Sequence, residues 1–274
     1  MAKKALIVGV NDYQMANADL RGCVSDVFDM GAVLSEYCGF GAADIRLLVN
    51  NRATKENIQR RLEWLVKDAG KGDVLVFHFS GHGSQIVDRD GDELVDHKDE
   101  ILCPHDMDWD GTYIVDDLLN KLFKPAGKSG ANLTAIFDCC HSGTGTKAFE
   151  PGKPETLDRF LVQPADIAWR AESLTGSAKT VARTIGIDPD KQRNILLAGC
   201  KADQTSAETV LGGVYRGAFT WCLTRTIREA KGNLTYRELM EKAGSLVNQH
   251  YNFTQIPQLE GPSEYFDVKI FESV

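Results

Sequence analysis

The chain has 274 residues, of which 43% are hydrophobic, 26% charged and 8% aromatic, an ordinary globular composition that excludes collagen-like repeats, coiled coil and bulk disorder. Its 39 acids against 31 bases leave a net charge of −8. That balance argues against a general nucleic-acid binder, because phosphate contacts need clustered Lys and Arg. No apolar run approaches the roughly 20 residues needed to span a bilayer.

The elements alternate along the chain. Lys4–Val10 is apolar and β-branched, a first strand, and its place directly after Met1-Ala-Lys-Lys reads as a buried strand rather than a signal segment. Asp26–Cys38 repeats apolar residues at helical spacing and closes at Gly39; Ile45–Val49 is a second strand. Thr54 is placed to cap a helix running to about Ala69. Asp73–Ser80, Leu133–Asp138 and Asn194–Gly199 read as three more strands. Gly217–Ala230 is a helix, Thr235-Tyr-Arg-Glu238 is a capping box that opens another through Val247, and Glu264–Phe271 is expected to close the chain as a strand. Strands separated by helical segments imply a mostly parallel sheet of about six strands with helices on both faces, in a single domain over residues 1–274.

Two stretches interrupt this rhythm. Between Asp88 and Asp117 stand twelve carboxylates against only Arg89 and Lys98, so this stretch outweighs the net charge of the whole chain. Its core, the acidic loop Asp88–Gly111, either attracts a cation or is a solvated loop. Lys147–Arg193 is long, polar and weakly periodic, with Pro151, Pro154, Pro164 and Pro189. A connection of that length inside a domain is usually functional or mobile. Seven cysteines without a CxxC spacing read as reduced thiols, which makes the cytoplasm the expected location.

Ligands of an open parallel sheet sit beyond the carboxyl ends of its strands. There the third strand runs into Ser80-Gly81-His82-Gly83 and the fourth into Asp138-Cys139-Cys140-His141-Ser142-Gly143. Alone, the first also reads as a turn and the second as packing. Together they put an imidazole and a thiol at strand ends that, as neighbours, lie about 4.8 Å apart, within reach of one substrate. A metal site from His82, Cys139, Cys140 and His141 fits less well, because vicinal cysteines chelate poorly.

Those two motifs, with Leu20-Arg-Gly-Cys-Val-Ser-Asp26, Gly199-Cys-Lys-Ala-Asp-Gln-Thr-Ser-Ala-Glu208 and Gln255-Ile-Pro-Gln-Leu259, resemble the metacaspases and their bacterial branch, the orthocaspases. The resemblance covers nearly the whole chain apart from Lys147–Arg193. It implies a three-layer caspase-like α/β fold and a cysteine endopeptidase with His82 as catalytic histidine and Cys140 as nucleophile. The amides of Gly83 and Cys140 would form the oxyanion hole. Asp26, Ser80 and Asp138 would line a pocket for the Arg or Lys before the scissile bond of a protein or peptide substrate. Carboxylates near Cys140 are expected to raise its thiol by like-charge repulsion, and so to lie across the pocket.

The family also implies Ca²⁺, with Asp99, Asp116 and Asp117 at three matching positions; the fourth falls near Lys147, the wrong sign. Asp106-Met-Asp-Trp-Asp-Gly111 with Asp117 imitates an EF-hand loop, but no entering helix precedes it. A preference for basic residues would make Lys147–Arg193 a place for self-cleavage, at Lys147, Lys153, Arg159, Arg170, Lys179 or Arg183. The resemblance further implies a monomer, and the charge balance and the lack of a long apolar run lead us to expect no nucleic-acid or membrane partner. The competing reading is a non-catalytic caspase-like scaffold or Ca²⁺-responsive binding module.

Overall fold

Strands with apolar side chains on both faces can only lie at the centre of a sheet covered twice. In the computed structural model, which describes residues 1–87, 98–141, 155–167, 169, 194–201, 204–250 and 253–273, the strands β1 (Lys3–Gly9), β3 (Val74–Ser80) and β7 (Asn132–Asp138) occupy that position. β2 (Ile45–Val49) flanks β1, and β9 (Asn194–Ala198) flanks β7. These five are parallel; β12 (Gln258–Glu260) adds an antiparallel edge beside β9. The sheet therefore draws strands from residue 3 to residue 260.

Period-two alternation sorts the core into two layers. Leu6, Val8, Leu75, Phe77, Phe79, Leu133 and Phe137 face α2 (Lys55–Val66) and α3 (Asp116–Lys128). Ala5, Ile7, Val74, Val76, Ile136, Ile195 and Leu197 face α1 (Cys23–Tyr37), α4 (Ala218–Glu229) and α5 (Tyr236–Ser245). Phe77 holds the first layer together, meeting Phe123 and Phe137 edge-on with ring centroids 5.9 and 5.8 Å away. Two small antiparallel sheets sit outside this sandwich. One is β4 (Gly83–Val87), β5 (Lys98–Leu102) and β6 (Ile114–Val115); the other is β8 (Leu157–Asp158), β10 (Ala207–Leu211) and β11 (Val214–Gly217).

Most local signals hold. Thr54 Oγ1 accepts from the Asn57 amide at the start of α2, and Thr235 and Glu238 form the expected capping box of α5. α1 starts three residues before Asp26 because the Asn11 side chain, beyond β1, caps it from outside, accepting from the amides of Cys23 and Val24. α3 was not anticipated: its acidic first turn looks like more of the acidic loop, and Pro125 lies inside it. The expected strand over Glu264–Phe271 is not formed. Pro257, and Gly261 at φ +140°, bound a three-residue edge strand instead. Beyond it Ser263–Tyr265 turns as a short 3₁₀ helix, and Ile270 and Phe271 are buried, Phe271 against Tyr236 at 6.0 Å, rather than paired along an edge.

Truncating Phe77 would leave a ring-sized void between α3 and the sheet. Phe77→Ala should lower the unfolding free energy by about 3–5 kcal/mol in denaturant titrations, whereas Phe28→Ala, at 61% exposed, should change it by less than about 0.5 kcal/mol.

Candidate active site

β3 and β7 pair in parallel with Ser80 opposite Asp138, so the segments leaving the two strands start level. His82 stands two residues beyond Ser80, and Cys140 two beyond Asp138; both are buried. The His82 ring is fixed from behind: Nε2 lies 2.8 Å from the Ala18 carbonyl oxygen, and the Tyr13 ring packs at 5.0 Å. A carbonyl only accepts, so Nε2 carries the proton and Nδ1 keeps its lone pair. Nδ1 is buried without a hydrogen-bond partner among the described residues. The Cys140 thiol donates to the Ser206 carbonyl at 3.2 Å, and its sulfur accepts from the Ser206 amide.

The amides of Gly83 and Cys140 both point at one oxygen, the carbonyl of Arg159, at 3.0 and 3.1 Å. Gly83 has no substitute there, since a Cβ would run into the Cys140 carbonyl. The Arg159 side chain, 0% exposed, enters a pocket beneath the same sheet edge. Its Nη2 donates to Asp26 at 2.7 Å and to Glu208 at 3.2 Å; its Nη1 reaches Ser80 Oγ at 2.9 Å and Asp138 Oδ2 at 3.1 Å. Each carboxylate is held by its own donors. Ser80 Oγ and the Gly217 amide serve Asp26. Thr220 N and Oγ1 and Ser206 Oγ serve Asp138, which thereby sits at the N-terminus of α4. The amides of Arg21 and Gly22 serve Glu208. Gly217 lacks the Cβ that would collide with Asp138 and the guanidinium.

The structure thus gathers the Gly83 and Cys140 amides and the side chains of Asp26, Ser80 and Asp138 around Arg159, with His82 and Cys140 at the ends of the neighbouring strands β3 and β7. It adds Glu208, the last residue of the quoted Gly199–Glu208 motif, whose distance in sequence from Asp26 hid it. It adds Gly217, which only the packing reveals. The chain on either side of Arg159 is extended. Leu157 and Asp158 pair antiparallel with Glu208 and Ala207, the Arg159 amide donates to the Ser206 carbonyl, and the Leu161 amide donates to the Gly83 carbonyl.

The acidic residues expected to hold Ca²⁺ behave differently. Asp99 lies on β5, and Asp116 and Asp117 open α3. Asp106 Oδ1 accepts from the Lys55 amide and Asp108 from Thr112 and Asp110, so the EF-hand look-alike ties down its own loop. Among the described residues no three His, Cys, Asp or Glu side chains gather as a metal cage, and this holds equally for Cys139, Cys140, His141 and His82. No step is routed through a calcium ion. Positions 88–97 and Lys147 lie outside the described residues. All seven cysteines are free and buried, and no helix among the described residues is long and apolar enough to cross a membrane.

Burial dominates the electrostatics. It pushes the Cys140 thiol well up, with Cys200 as the next cause and the Asp158 carboxylate a lesser one; Asp26 and Asp138 are not among the leading causes. Burial also lowers His82, His78 and His141 to about 4, and raises the Asp26 carboxyl against the pull of Arg159. At neutral pH the sulfur and the imidazole therefore rest uncharged. For a histidine held neutral in the fold, stability is full above the unfolded pKa of about 6.5 and is lost as pH falls toward 4, where the unfolded chain binds protons that the fold refuses. Each ring withdraws on the order of 3 kcal/mol across that window, and Asp26 opposes part of the loss. Denaturant titrations at pH 7, 6 and 5 should show a steady decline; a flat profile would mean that the three rings are not buried neutral.

Residues 3–148 match the metacaspase, peptidase C14 domain family. Metacaspase-1 of Scheffersomyces stipitis is 36% identical over 287 aligned residues, which take in 94% of this chain and 70% of that protein. Metacaspase-1B of Aspergillus terreus is 34% identical, across 94% of this chain and 74% of its own. Among solved structures, protein GSU0716 from Geobacter sulfurreducens is similar over the full length of both chains, with a TM-score of 0.70 at 24% identity. Caspase-1 from Spodoptera frugiperda gives 0.59 at 14% identity, over 94% of this chain and 86% of that one. At those identities the structures speak for the fold, and the sequence relatives for the family. The chain belongs to the metacaspases, caspase-like cysteine peptidases of the peptidase C14 family.

Proposed function

We propose that the chain is an endopeptidase that cuts on the carboxyl side of Arg or Lys through a thioester on Cys140, with His82 as proton carrier. The observation that carries this reading is the posture of Arg159: its guanidinium sits among three carboxylates while its carbonyl oxygen accepts from Gly83 and Cys140. A substrate peptide in that posture has its carbonyl polarised by two amide donors beside a sulfur.

The steps follow from the groups present. His82 Nδ1, left bare by the Nε2 bond to Ala18, takes the thiol proton as Cys140 Sγ attacks the carbonyl carbon. Negative charge develops on the oxygen between the two amides, where one such donor typically contributes about 3–4 kcal/mol. The carbon–nitrogen bond breaks, and the imidazolium returns its proton to the departing nitrogen. Water then hydrolyses the thioester and restores the thiol.

The pocket's chemistry supports a basic residue. Three buried carboxylates against one guanidinium leave it strongly attractive to a cation and hostile to an Asp side chain. Arg fits it better than Lys, because its two terminal nitrogens divide between the Asp26–Glu208 wall and the Asp138–Ser80 wall, whereas one ammonium serves a single wall.

Fluorogenic peptides ending in Arg, Lys or Asp, assayed with and without Ca²⁺, test this reading. Arg peptides should be hydrolysed about tenfold or more faster than Lys peptides, and Asp peptides not at all. Cys140→Ala and His82→Ala should each lower kcat by about a thousandfold or more. Turnover of Asp peptides alone would overturn the pocket assignment, and no turnover under any condition would favour a scaffold. Gly217→Ala should raise KM for Arg peptides about tenfold or more with less effect on kcat, since its methyl group claims the space of the guanidinium.

A further inference from the structure

We propose that the site also selects its substrates on the leaving side of the cut: the substrate chain pairs with the free edge of β4, and the second residue after the cut, an aliphatic one of about leucine's size, fills an apolar socket there. This rests on the peptidase reading above and names the substrate class of that same site.

The chain around Arg159 lies as a bound peptide would, and it traces the path. Arg159 is the one of the six basic residues named for Lys147–Arg193 that lies within the described residues. Up to Arg159 the segment runs beside β10; after it, the segment crosses to β4. One edge of β4 pairs with β5, and the other faces this segment. Phe160 bridges Gly83 in parallel, and the Leu161 amide donates to the Gly83 carbonyl at 2.9 Å. A parallel ladder would continue with another backbone rung. Here the Ser84 hydroxyl takes its place, donating to the Leu161 carbonyl at 2.7 Å. Gln163 Nε2 then donates to the Gln85 carbonyl. Ser84 is buried, and its own carbonyl is held by the His141 ring, with Nδ1 at 3.3 Å. β4 thus offers an extended chain a carbonyl, a hydroxyl and a second carbonyl, in that order.

The side chains alternate along this path, as in a strand. Arg159 is buried among the carboxylates, and Phe160 is half-buried. Leu161 is 9% exposed and joins the core layer that also holds Ile86 and Leu102, whereas Val162 is 74% exposed. A substrate that displaces residues 157–163 inherits these surroundings. It meets carboxylates before the cut, an apolar socket two residues after it and solvent at the third. Alanine at the second position leaves part of the socket empty, and a carboxylate there is desolvated in an apolar layer. A peptide whose leaving group is a dye engages only the β10 half of the path.

Internally quenched peptides with a single Arg, followed at the second position by Leu, Ala or Asp, test this with the full-length chain, beside a fluorogenic peptide in which a dye leaves directly from Arg. Replacing Leu by Ala should lower kcat/KM about tenfold, and replacing it by Asp about a hundredfold. Exchanging Val for Asp at the third position should change it less than about threefold. Methylating the backbone nitrogen of the second residue, which removes the donor to Gly83, should cost about tenfold. Ser84→Ala should lower the ratio of kcat/KM on the Leu peptide to that on the dye peptide by about fivefold, a ratio that a general loss of folded enzyme would not move. If the dye peptide is hydrolysed but the Leu, Ala, Asp and N-methyl peptides are cut alike, the inference is overturned and the peptidase reading survives. If neither the dye peptide nor any quenched peptide is cut, the peptidase reading falls and this inference with it.

Discussion

A guanidinium cannot be buried without a heavy desolvation cost unless charges of opposite sign surround it. Around Arg159 they come from three separate parts of the chain: Asp26 in the first turn of α1, Asp138 at the end of β7 and Glu208 on β10. Bringing three carboxylates together repels them in turn, so each is braced by amides and hydroxyls that no solvent could replace as rigidly. The loop before α1, the N-termini of α1 and α4, and β10 are thereby fixed relative to one another. The cluster is a pocket because its cation belongs to a segment outside the central sandwich. Its walls belong to the sandwich and to β10.

The strand pairing performs the companion task for the proposed dyad. Register between β3 and β7 brings Ser80 level with Asp138, and the two departing segments carry His82 and Cys140 forward by the same number of residues. The backbone amides that converge on one oxygen belong to these same segments, so the two amides, the sulfur and the imidazole stand along one sheet edge. A short side-chain contact, His82 to the Ala18 carbonyl, sets which ring nitrogen is available. A backbone oxygen thus holds this ring as a carboxylate holds the imidazole of a Ser-His-Asp triad.

The acidic stretch shows how composition misleads about location. The carboxylates of the pocket include none of the twelve that make residues 88–117 conspicuous. Several of those twelve serve the fold directly, Asp106 by capping α2 and Asp108 by closing a turn. A charge cluster in sequence reports only neighbours along the chain, whereas a binding pocket is assembled from residues 112 and 182 positions apart.

Much was legible from the order of residues. The continuous apolar runs of β1, β3, β7 and β9, the caps at Thr54 and Thr235, the glycine-flanked His82 and the Cys140 that follows a strand end are local signals, because hydrophobic period, capping and turn chemistry act within a few residues. The family resemblance extended that reach to Asp26, Ser80, Asp138 and the Gly83 and Cys140 amides. The closing strand was misplaced and α3 unseen for the opposite reason: burial of Phe271 against Tyr236, and of Leu119 and Phe123 under the sheet, wins over local propensity once the partners exist. Only the tertiary structure decided that Glu208 joins the pocket, that Gly217 leaves room for a guanidinium, and that Arg159 is the basic residue of its loop that occupies the site. Those outcomes depend on distances between segments far apart in the chain, and such distances are set by packing, on which no single stretch of sequence carries information.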